Sequence, residues 1–118
     1  MINKLYIPTA NRVGCQYAFD ALSPKWQDKT VLVTHPDEIH DGYPTLACPA
    51  QGQGGIAPVR KWIAEYAAGT RFGMIDDDAI FCYTRRENED GPSNRSLTND
   101  EFDDMMSLFN SWMDEGFT

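Results

Sequence analysis

A chain of 118 residues with 10 Lys+Arg, 18 Asp+Glu and a formal charge of −8 has the length of one domain. Its 42% hydrophobic content, with 6 Phe, 5 Tyr and 3 Trp, fills a modest core and excludes disorder of the whole chain. No stretch approaches the roughly 20 apolar residues of a membrane span, and the start, Met-Ile-Asn-Lys-Leu-Tyr-Ile-Pro, lacks the apolar run of a signal peptide, so the expectation is a soluble cytoplasmic protein with no membrane partner.

In chain order, Lys4-Leu5-Tyr6-Ile7 reads as a short buried strand stopped by Pro8, because proline cannot continue a central ladder. Cys15, Ala18, Phe19 and Leu22 recur at helical spacing, and Ser23-Pro24 closes that helix. Thr30 to Thr34 is a β-branched strand ending at His35-Pro36, and Tyr43 to Cys48 a weaker one running into Gly52, Gly54 and Gly55. Ile56, Val59, Ile63, Tyr66 and Ala67 form the stripe of a helix over 56–68, with Pro58 tolerated in the first turn and Gly69 near the C-cap. Arg71 to Ile75 is the fourth strand. Residues 87–97 have loop composition. Thr98 is then an N-cap with Glu101 at the capping-box position, opening a helix over about 99–115 whose one face carries Phe102, Met105, Met106, Phe109, Trp112 and Met113.

Strands alternating with helices imply an α/β fold: a three-layer, Rossmann-like sheet, mostly parallel, with helices on both faces. Residues 1–86 hold the sheet and 98–118 a helix completing the same domain. Ligands in such sheets collect beyond the carboxyl ends of the strands. There the sequence puts Thr9-Ala10-Asn11-Arg12, His35-Pro36-Asp37-Glu38, Gln51 to Gly55 and Asp76-Asp77-Asp78, an unusually polar set.

The charge is unevenly placed. Residues 1–86 carry nine basic and nine acidic side chains, whereas residues 87–118 carry nine acids against Arg95 alone. Binding to a phosphate backbone through the last helix is therefore disfavoured, and a nucleic-acid acceptor would have to be held elsewhere. Cys15, Cys48 and Cys82 are odd in number and show no C-x-x-C spacing, so they are expected to be reduced and mostly buried. His35 and His40 read as surface or loop residues rather than a catalytic pair.

Asp76-Asp77-Asp78 interrupts an apolar run at a strand end. If the segment is extended, Asp76 and Asp78 share a side and can converge on Mg²⁺ or Mn²⁺, with Asp77 pointing elsewhere; alternatively the acids cap a turn. Arg60 lies beside the helical stripe, able to reach a phosphate or the triple Asp. Gly52-Gln53-Gly54-Gly55-Ile56-Ala57 satisfies G-x-G-x-x-G/A at a helix start, which keeps a dinucleotide-dependent enzyme open. No G-K-[ST] is present, which excludes a P-loop.

Taken together, Ile7-Pro8-Thr9 with Asn11-Arg12, Gly55 to Trp62, and Gly73 to Asp78 resemble the donor-binding half of a GT-A glycosyltransferase, in particular the small phage-type enzymes associated with DNA-base modification. The resemblance covers residues 4–86. It implies a nucleoside-diphosphate sugar as ligand, with Pro8, Thr9, Arg12 and Asp37 near the base and Arg60 near the nucleotide. It also implies that the acidic motif binds the donor through Asp76 and Asp77 and holds Mn²⁺ or Mg²⁺ through Asp76 and Asp78. The family's acceptor site and catalytic base lie after that motif, and no base is assigned to this chain. A different class stays open: an interaction module whose last helix docks a partner or a second copy.

Overall fold

The computed structural model describes residues 1–84 and 94–116. Residue contacts divide the chain into two compact units, Ile2–Ala79 and a second made of Met1 with Ile80–Thr118.

In the first unit, strand β1 (Lys4–Pro8) is followed by α1 (Tyr17–Ala21), α2 (Pro24–Gln27), β2 (Thr30–Thr34), β3 (Thr45–Ala47), α3 (Ile56–Tyr66) and β4 (Phe72–Met74). The strands form one four-stranded sheet in the order β3-β2-β1-β4, each neighbouring pair parallel. The α/β architecture expected from the sequence is therefore present. The expected first helix is shorter than its apolar spacing suggests: Leu22 turns to extended backbone, and past the closing Ser23 a separate turn, α2, opens at Pro24, where the missing N–H costs nothing. Cys15 lies before α1 and is exposed, as is Cys82; only Cys48 is buried, which corrects the expectation that the cysteines are mostly buried.

The strands bury alternate residues in two separate clusters, as a two-residue period requires. Tyr6, Val31 and Val33 pack with Val59, Ile63 and Ala67 of the α3 segment, whereas Ile7 and Leu32 pack with Ala18 and Phe19 of α1. The predicted stripe of α3 is narrower than its apolar residues suggest, because Ile56 and Tyr66 at its ends are exposed. Gly73 sits opposite Leu5, where a Cβ would come within 2.9 Å of Leu5 Cδ2, so any side chain here would force the end of Leu5 to move.

In the second unit, β5 (Cys82–Thr84) pairs antiparallel with β6 (Asn94–Ser96), and α4 spans Asn99–Asp114. Thr98 and Glu101 form the expected capping box. The predicted loop over 87–97 lies outside the described residues up to 93; its described end is corrected to strand at Asn94–Ser96. Of the predicted α4 face, Phe102 and Met106 are buried, while Phe109 and Trp112 are exposed. No helix among the described residues is long and apolar enough to cross a membrane.

Candidate functional site

Strand order reverses direction of winding between β1 and β4, and the crevice beyond their carboxyl ends is where an open parallel sheet accommodates a ligand. The chain leaving β4 makes a turn there: the Ala79 N–H bonds the Asp76 carbonyl at 3.0 Å, and the Ala18 N–H at the start of α1 bonds the Asp77 carbonyl at 3.1 Å. The three aspartates are thus on a turn rather than an extended segment. The alternation argument for Asp76 and Asp78 therefore does not apply, and the turn that the sequence leaves as the alternative is the one present.

Asp77 and Asp78 share Arg12, whereas Asp76 pairs with Arg60. Asp77 is the shielded one, with its side chain 13% exposed against 62% for Asp76 and 59% for Asp78. Asp77 Oδ2 accepts the Thr9 hydroxyl at 2.7 Å and faces Arg12 Nε at 3.3 Å. Arg12 Nη2 is 3.9 Å from Asp78 Oδ2, and Arg60 Nη2 donates to Asp76 Oδ1 at 3.1 Å. Arg60 therefore reaches the triple Asp, as its helix position predicts. Thr9, itself buried, also accepts from Gln16 Nε2 at 3.1 Å, and the same nitrogen donates to the Arg12 carbonyl at 3.1 Å.

Beside this cluster, Ala10, Asn11, His35, Asp37, Glu38, Gln51 and Gly52 line a pocket of about 350 Å³, a volume within the range of small-molecule sites. Every one of these residues belongs to the polar set that the sequence puts beyond the strand ends. Asp37 stands at the pocket with its side chain 94% exposed, and its N–H bonds His35 Nδ1 at 3.1 Å. Pro8, the buried last residue of β1, leads the chain into Thr9 and Ala10. Gln51 is buried and uses its amide nitrogen twice, donating to the Thr9 carbonyl at 3.1 Å and to the Val33 carbonyl at 2.9 Å. It bridges the two strands where their ladder ends, just beyond the bond from the Thr9 N–H to the Val33 carbonyl at 3.1 Å.

The sequence places Gln51 and Glu38 in the polar edge set without a bonding role, reads His40 as a surface or loop residue, and does not single out Gln16. The Gln51–Thr9 and Glu38–Asn11 pairings span 42 and 27 positions, for which one sequence carries no signal, whereas Gln16 bonds Thr9 seven positions away and His40 pairs with Glu38 two positions away, where burial is what the sequence does not show. His40 is not a surface residue: its side chain is fully buried, 2.7 Å from Glu38 Oε1.

Gly52, Gly54 and Gly55 all adopt positive φ, so the loop into α3 needs glycine at these places. Gly55 is the N-cap, and Pro58 at the third helical position removes one of the amides that such a terminus would offer an anion. The glycine fingerprint follows β3, an edge strand, rather than β1.

Among the described residues, no three His, Cys, Asp or Glu side chains are grouped as a metal site. Two exposed carboxylates, each engaging an arginine through one oxygen, nevertheless suit an ion that takes its remaining ligands from a phosphate and water, which is how Mg²⁺ is usually held. Asp37, Glu38 and Asp76 to Asp78 outnumber Arg12 and Arg60 at this edge, so a phosphate approaching it alone would meet net negative charge.

No protein-family model matches the chain, and no solved structure matches it. Among curated proteins, it is similar to the Beta-glucosyl-HMC-alpha-glucosyl-transferase of Enterobacteria phage T6. The two are 30% identical over 119 residues, which cover 94% of this chain and 42% of that protein. The chain thus has a distant glycosyltransferase-like relationship and spans less than half the length of this relative.

Proposed function

We propose that residues 2–79 are the donor-binding part of a glycosyltransferase, taking a nucleoside-diphosphate sugar at the carboxyl edge of the sheet. The observation that carries this reading is that three aspartates and two arginines meet beyond the ends of β1 and β4, where strand order reverses, while a pocket opens beyond the ends of the neighbouring β1 and β2. The distant similarity to a phage glucosyltransferase supports the same reaction class.

In this reading the pocket takes the base, bordered by Pro8, Thr9 and Arg12 from the end of β1 and by Asp37 from the end of β2. Asp77 acts on the donor through Thr9 and Arg12, which it orients. Arg60 turns from Asp76 toward the diphosphate, exchanging one anionic partner for another. Asp76 and Asp78 hold Mn²⁺ or Mg²⁺, with Asp76 also near the ribose. Bound there, the ion offsets charge developing on the departing nucleoside diphosphate.

Titration calorimetry with UDP, GDP, ADP and CDP, each with Mn²⁺ and with chelator, tests the reading. One diphosphate binds in the presence of Mn²⁺, and the heat disappears with chelator or in Asp78→Ala. Equal binding by Asp78→Ala, or no binding of any diphosphate with metal present, overturns it.

A further inference from the structure

The His40 imidazole is 0% exposed, and its Nε2 lies 2.7 Å from Glu38 Oε1. A carboxylate only accepts, so Nε2 carries the proton. The second oxygen of the same carboxylate, Oε2, accepts the Asn11 N–H at 3.2 Å. Asn11 is the one non-glycine residue at positive φ, 60°, among the described residues, a left-handed conformation that asparagine adopts more readily than other residues with a side chain. Asn11 and Glu38 both line the pocket, on opposite sides of the β1–β2 junction. His40 Nδ1 is buried and has no hydrogen-bond partner among the described residues, so the ring cannot exchange tautomers without putting an N–H where no acceptor waits.

We propose that Glu38 and His40 are positioning residues for this pocket: buried His40 fixes the Glu38 carboxylate, and the carboxylate holds the Asn11 backbone in the left-handed conformation that shapes the pocket wall. Two donors converge on Glu38 and need two acceptor oxygens. A packing role needs only its volume. Glu38→Gln separates the two, because it keeps the size and leaves one acceptor oxygen. The binding consequence rests on the donor-site reading above, whereas the conformational consequence does not.

The test is the amide NMR spectrum of the full chain together with calorimetry using Mn²⁺ and the four nucleoside diphosphates. In Glu38→Gln the amide resonances of Ala10, Asn11 and Gly52 move while those of α3 and β4 stay, and diphosphate affinity falls about tenfold, as expected for loss of a hydrogen bond to a buried charged group. His40→Phe produces the same shifts, and adding Glu38→Gln to it produces no further loss, since the two act through one chain of contacts. His40→Gln, which retains an N–H for Glu38, restores the Asn11 resonance and reads the same relationship should Glu38→Gln fail to fold. Unmoved Ala10, Asn11 and Gly52 resonances in both Glu38→Gln and His40→Phe overturn the proposal. A wild-type chain that binds no diphosphate overturns the donor-site reading alone, and the resonance shifts then decide this one.

Discussion

The Thr9 hydroxyl and the Asp77 carboxylate meet at 2.7 Å across 68 positions of sequence, joining the end of β1 to the turn after β4. Thr9 donates there and accepts from Gln16, so one buried hydroxyl satisfies two neighbours. Thr9→Val keeps the shape and removes both bonds, leaving a shielded carboxylate and a buried amide each short of a partner. The expected loss is about 1–3 kcal/mol of unfolding free energy, measured by urea denaturation. An unchanged midpoint would show that the pair contributes nothing to holding the turn.

The exposed aspartates should behave in the opposite way. Asp76 and Asp78 are more than half exposed and their arginine contacts are those of surface pairs, so Asp76→Ala and Asp78→Ala are expected to change stability by no more than about 0.5 kcal/mol. On the donor-site reading their cost is in binding: each should abolish Mn²⁺-dependent uptake of the diphosphate. Asp77→Ala, by contrast, lowers stability first. A thermal-melt series on the three variants checks the order, and an Asp76 or Asp78 variant less stable than Asp77→Ala would contradict it.

On the donor-site reading, in which Asp76 and Asp78 hold the ion, the ion and the diphosphate should depend on each other. Mn²⁺ alone should then bind weakly, because most of its shell would stay water, and the diphosphate alone would meet net negative charge; together each would supply what the other lacks. By linkage the enhancement is reciprocal. Electron paramagnetic resonance of free Mn²⁺ with and without the diphosphate measures it, and an affinity for Mn²⁺ indifferent to the diphosphate would require a third protein ligand.

The strands and the long helices were legible because they are local. The β-branched run Thr30–Thr34 and the Val59/Ile63 spacing need no knowledge of the rest of the chain, and strand ends marked by Pro8 and Pro36 located the polar edge. The pocket's lining was contained in that edge set. Its wiring was not. Asp76 to Asp78 alternate only if the backbone is extended, and a single bond from the Ala79 N–H to the Asp76 carbonyl makes it a turn. Buried polar residues were the hardest to read, since Gln51 and His40 look hydrophilic until the carbonyls and carboxylate that receive them are in place. The first helix was overextended because Cys15 and Leu22 fit its period while Gln16 and Leu22 leave helical geometry.

Tyr43 offers a pH test of the α1 face. Its hydroxyl donates to both oxygens of Asp20, at 2.9 and 3.1 Å, and that bond, followed by burial and the Asp20 charge, raises its pKa above the ordinary tyrosine value. The protonated form is the one stabilised, so this contribution is fully present below the unfolded tyrosine range and is lost as pH rises through the folded pKa. Ultraviolet titration should show Tyr43 ionising later than an exposed tyrosine, with the delay abolished in Asp20→Asn. Persistence of the delay in that variant would assign it to burial alone.

Gly73 gives a test of how tightly β4 is held. A methyl group there would stand 2.9 Å from Leu5 Cδ2, closer than carbon atoms tolerate, and Leu5 is 1% exposed with little room to withdraw. Gly73→Ala should therefore cost about 1–3 kcal/mol through overpacking. The contact is with the far end of a side chain rather than with backbone, so shortening that side chain relieves it. Leu5→Val alone loses stability by leaving space in the core, yet combined with Gly73→Ala it should cost less than the two changes separately, because the new methyl occupies part of the space vacated. Denaturation of the two single variants and the double variant measures this coupling. Strict additivity would place the strain of Gly73→Ala in the backbone of β4 instead of against Leu5.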